Sequence, residues 1–76
     1  MADIEVRRTA ALKLSEILDD LLRAGENSRA ILVVHALGAT GSELAASKLA
    51  QLFDQTSDPD LENAIIEALG EVAHSA

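Results

Sequence analysis

The chain has 76 residues, 49% of them apolar, and no cysteine, which describes one small globular domain and excludes disulfide frameworks, thiolate zinc sites and cysteine nucleophiles. Its formal charge of −7 is uneven: residues 1–29 hold five of the six basic residues against six acids, while residues 30–76 set Lys48 alone against seven acids, so the second half is a −6 surface. That field, with Phe53 as the only aromatic, argues against nucleic acid as a partner, and the longest apolar run, residues 30–34, is far short of a membrane span.

From Ile4 to Ala24 the residues Ala10, Leu14, Ile17, Leu18 and Leu21 recur at the three-and-four spacing of one helix face, and Gly25 supplies a stop. A second helix runs through Ala39, capped by Asn27 or Ser28; its run Ile31-Leu32-Val33-Val34 is apolar nearly all round, as for a helix covered on several sides. A strand competes for this β-branched run, but its flanks favour helix. Ser42 caps a third helix through about Phe53, with Leu49, Leu52 and Phe53 facing inward. Asp58-Pro59 then opens a fourth, with a capping side chain before a proline at the first helical position, where a missing N–H costs nothing. Leu61, Ala64, Ile65, Ala68, Leu69 and Val72 form its apolar stripe. The connections are short, as antiparallel neighbours require.

A shift of 32 residues superimposes the second half on the first. Leu12 falls on Leu44, Ser15 on Ser47, Ile17 on Leu49, Val33 on Ile65, and Ala36-Leu37-Gly38 on Ala68-Leu69-Gly70. The chain therefore reads as an internal repeat, with hairpins at about 4–40 and 42–74 inside one domain. Leu14, Leu18 and Leu32 give way to Ala46, Ala50 and Ala64, so the second hairpin is expected to pack more closely. Gly70, costly inside a helix by about 1 kcal/mol against alanine, is expected to mark a close helix neighbour, with Gly38 in the matching place.

The segment Asp58-Pro59-Asp60-Leu61-Glu62-Asn63-Ala64-Ile65-Ile66-Glu67-Ala68-Leu69-Gly70-Glu71-Val72 resembles the second helix of a HEAT-like repeat, in the short bacterial form also found in phycobilisome lyases. Ala36-Leu37-Gly38-Ala39-Thr40-Gly41 resembles the end of the preceding repeat, so the likeness spans most of the chain. It implies an all-α, right-handed solenoid fragment of two stacked hairpins. Glu62 stands where that family often has Arg, so no arginine ladder between repeats is expected. Cofactor or chromophore attachment, as in the lyase relatives, is a function that the resemblance alone implies. A further likeness, to acyl carrier proteins, rests on Leu37-Gly38-Ala39 before a serine and would make Ser42 the modified residue. Here Gly41-Ser42-Glu43 replaces that family's Asp-Ser-Leu.

Catalysis needs a nucleophile with an oriented base, or metal ligands on one helix face, and the sequence supplies neither. His35 and His74 are the only histidines and lie 39 residues apart; His74 near a helix C-terminus suits the dipole. Glu67 and Glu71 share a face at i,i+4 and read as a solvated acidic surface, and Gly38 to Ser42 reads as a turn and cap rather than a phosphate cradle. No cofactor, metal or catalytic residue is expected.

The expected function is a cytoplasmic, non-enzymatic protein–protein interaction module, a small adaptor or scaffold. A structural piece of a larger solenoid is the main alternative. In the repeat phase the second helices expose Ile31, His35, Asn63, Glu67 and Glu71 on one face, suited to a basic protein partner. Leu12 and Leu22, off the inward stripe of helix one, are expected to bury themselves in a homodimer or against an obligate partner.

Overall fold

The computed structural model describes residues 3–75, which form four helices: α1 (Asp3–Arg23), α2 (Asn27–Thr40), α3 (Glu43–Gln55) and α4 (Pro59–Ser75). Two hairpins, α1–α2 and α3–α4, stack side by side, and the most extensive contact is between α2 and α4. The radius of gyration of 11.5 Å is close to the roughly 11 Å expected of a compact chain of this length, so the hairpins close on each other rather than splay.

The turns follow from local chemistry. Gly25, at φ 75°, ends α1 in a Schellman motif: its N–H donates to the Leu22 carbonyl at 3.1 Å, and the Glu26 N–H donates to the Leu21 carbonyl at 2.9 Å. Gly41, at φ 64°, ends α2 in the same left-handed region, where a side chain would be strained. Ser42 Oγ then accepts from the Leu44 N–H at 3.1 Å, the N-cap expected of it. Asp58 caps α4 as its place before Pro59 predicts, with Oδ1 accepting from the Asp60 N–H at 2.9 Å. The expected cap of α2 is corrected. Glu26 is the N-cap and its side chain makes no capping bond, pairing instead with Arg29 at 3.5 Å, because the Schellman turn carries the chain straight into α2. The Asn27 amide instead donates to Asp58 Oδ2 at 3.0 Å and joins the two hairpins.

One core runs through both hairpins, with Leu18, Leu37, Leu49, Ile65 and Val34 its largest fully buried side chains. The α4 stripe is as expected, with Leu69 only partly buried. Residues 30–34 are helical, so the strand alternative fails. Three inward assignments are corrected. Ile17 and Phe53 are exposed, and Leu32, at 69% exposure, lies on the one side of α2 that α1, α3 and α4 leave uncovered. On α1 the buried partner of Leu18 is Ala11, so the inward face is rotated toward the second hairpin.

The glycine expectation holds at Gly38 and is corrected at Gly70. A Cβ on Gly38 would lie 2.8 Å from the Cα, Cβ and carbonyl oxygen of Ala68, whereas a Cβ on Gly70 would meet nothing within 4 Å among the described residues. The close approach that a glycine permits is between hairpins, α2 against α4, not within the alanine-rich second one.

Candidate functional site

The surface that α2 and α4 share is built by the Gly38–Ala68 approach, which brings the two helices close enough for side chains one turn away to meet. His35 Nε2 lies 3.8 Å from Glu67 Oε1, a pair that carries opposite charges only when the imidazole is protonated. Both side chains keep substantial exposure, so the pair is a surface feature of modest energy. An open groove runs along α4 from this pair, lined by Ala39, Glu67, Gly70, Glu71 and His74.

Of the residues expected on this face, His35, Glu67 and Glu71 are brought together, and Asn63 is exposed one turn before Glu67 on α4. Ile31 is corrected: it is half-buried and packs against the core, because α2 turns that edge toward its neighbours. The exposed aliphatic side chain of this run is Leu32. Ala39, Gly70 and His74 are groove residues that the sequence did not assign to the site. No local signal marks them: the triplet that ends in the open Gly70 is identical to the one that ends in the covered Gly38.

Leu12 is half exposed in a shallow concavity with Ser15, Leu44 and Lys48, whereas Leu22 is partly buried and packs against the core. Ser42 is 8% exposed, and its hydroxyl is engaged as the α3 cap. Gly38 to Ser42 forms the turn and cap read from the sequence, with the Thr40 hydroxyl donating to the Leu37 carbonyl at 2.7 Å. Lys48 Nζ donates to Asp19 Oδ1 at 2.6 Å and ties α3 to α1.

Among the described residues no group of three or more His, Cys, Asp or Glu side chains could hold a metal ion, and no helix is long and apolar enough to cross a membrane. Compared with family models, curated proteins and solved structures, the chain has no significant match to any of the three.

Proposed function

We propose that this chain is a cytoplasmic, non-enzymatic protein–protein interaction module, a small HEAT-like adaptor or scaffold that docks a basic protein surface along α2 and α4. The observation that carries this reading is the groove on α4, where Glu67, Glu71 and His74 surround the bare backbone of Gly70. A groove floored by glycine lets a partner approach the helix closely, and an acidic rim steers a basic one. The −6 charge of residues 30–76 extends the same field around it.

The test is affinity capture from a lysate of the source, with the native chain, a Glu67→Arg, Glu71→Arg double variant and an Asp54→Arg variant on the exposed surface of α3 as bait. The reading expects a protein that the native and Asp54→Arg baits retain and the double variant loses, with retention falling as salt rises. Equal retention by all three baits contradicts it.

A further inference from the structure

We infer that the partner of this surface is a second copy of the chain, docked head to tail so that the 32-residue repeat continues from one molecule into the next. The inference rests on the docking reading of α4 above and names its occupant.

Equivalent positions of the two hairpins have opposite exposure in a consistent sense. Leu18, Val34 and Gly38 are buried where the first hairpin meets the second, while their counterparts Ala50, Ile66 and Gly70 are exposed. Conversely, Leu49, Ala64 and Ala68 are buried, while their counterparts Ile17, Leu32 and Ala36 are exposed or only half-buried. The chain thus uses each half of one interface once internally and leaves the complementary half free at each end. Ile66 is 55% exposed at one end and Leu32 69% exposed at the other, so both free ends keep aliphatic surface.

The charges select the mate. Inside the chain the repeat interface has buried Ala11 and Ala30 on the first hairpin and buried Ala45 and Leu61 on the second. At the free ends the equivalents of the first pair are Glu43 and Glu62, and those of the second pair are Lys13 and Arg29. The second hairpin's end is acidic where the internal joint is apolar, so two such ends repel, while the first hairpin's end offers it Lys13 and Arg29 beside Glu16 and Asp20, the equivalents of Lys48 and the buried Leu52. Polar contacts repeat as well. The internal His35–Glu67 pair becomes Glu67 against the next molecule's His35, and the internal Asp19–Lys48 bond becomes Gln51 against its Glu16.

Gly70 is the key to this joint. It occupies the place of Gly38, whose missing Cβ admits Ala68, and the residue it would face in the next molecule is Ala36, the equivalent of Ala68. A glycine that nothing among the described residues of its own chain requires is thereby explained by a neighbour. Such a contact is heterologous and does not close on itself after two copies, unlike a two-fold dimer.

Sedimentation equilibrium of the purified chain from micromolar to millimolar concentration is the test, with Gly70→Leu blocking the end formed by α3 and α4 and Leu32→Glu blocking the end formed by α1 and α2. Circular dichroism confirms that both variants fold, as expected of two open positions. The native chain should grow beyond twice its 8.0 kDa mass. Each variant alone should stay a monomer, and an equimolar mixture should recover one heterodimer that grows no further, because each variant keeps the end the other has lost. A native chain that stays monomeric throughout, or variants that the mixture does not rescue, overturns the inference. So does a Leu12→Glu variant that dissolves the assembly while Gly70→Leu leaves it intact, the mark of a two-fold contact through α1. A monomeric chain whose lysate partner is still lost on reversal of Glu67 and Glu71 sinks this inference alone and leaves the docking reading standing.

Discussion

Gly38 and Ala68 are in closer contact than any pair with a side chain on both partners could be: a Cβ on Gly38 would fall 2.8 Å from both the Cα and the carbonyl oxygen of Ala68. Two helices from different hairpins are packed backbone to backbone there, and the shared surface of α2 and α4 follows from it.

The rotated inward face of α1 gives a contrast between adjacent residues. Leu18→Ala should cost about 2–5 kcal/mol, since its side chain is fully buried and truncation leaves a cavity. Ile17→Ala should cost less than about 1 kcal/mol, because that side chain is half in water already. Urea denaturation of the two variants measures both; equal losses contradict this helix phase.

Caps should be separable by their partners. Ser42→Ala removes one acceptor for a helix N–H and should cost about 1 kcal/mol. Asp58→Ala removes the Asp60 cap and the link from Asn27 together, and should cost more than Ser42→Ala, about 1–2 kcal/mol. Asn27→Ala alone, at an exposed hydrogen bond, should cost less than about 0.5 kcal/mol. A larger loss for Asn27→Ala than for Asp58→Ala is the outcome that contradicts this order.

The Lys48–Asp19 bond is the charged tie between α1 and α3, with side chains 21% and 46% exposed. A double-mutant cycle with Lys48→Met and Asp19→Asn should give a coupling of up to about 1 kcal/mol, the upper range for solvent-accessible pairs. The coupling should shrink in high salt. A coupling that persists unchanged at high ionic strength contradicts its assignment as a partly screened pair.

The helices, two of the three caps and the 32-residue correspondence were legible in the sequence because each is local or periodic. Pro59 after Asp58, and Ser42 before an apolar stripe, specify their termini with no help from the rest of the molecule. The exposure of Ile17, Leu32 and Phe53 was not legible. Each sits at the edge of a broad apolar stripe, and which edge is covered depends on the other hairpin. Leu49, the equivalent of Ile17, is fully buried because a hairpin lies in front of it. The same reason separated the glycines: identical Ala-Leu-Gly triplets carry identical local information, and only their order in the stack leaves Gly38 covered and Gly70 open. On the candidate site, Glu67 and Glu71 were readable from their helical spacing, whereas the groove beside them exists because no helix covers Gly70.

The central claim is that the two hairpins are successive turns of one repeat, mated through Gly38 and left unmated at Gly70, and the same substitution at both positions tests it most directly. Chemical denaturation at concentrations where the chain is monomeric should show Gly38→Ala destabilised by about 1–3 kcal/mol, because the added carbon meets the backbone of Ala68 and not a side chain that can move. Gly70→Ala should instead be stabilised by about 1 kcal/mol through helix propensity alone. Changes of the same sign at the two positions would contradict the account.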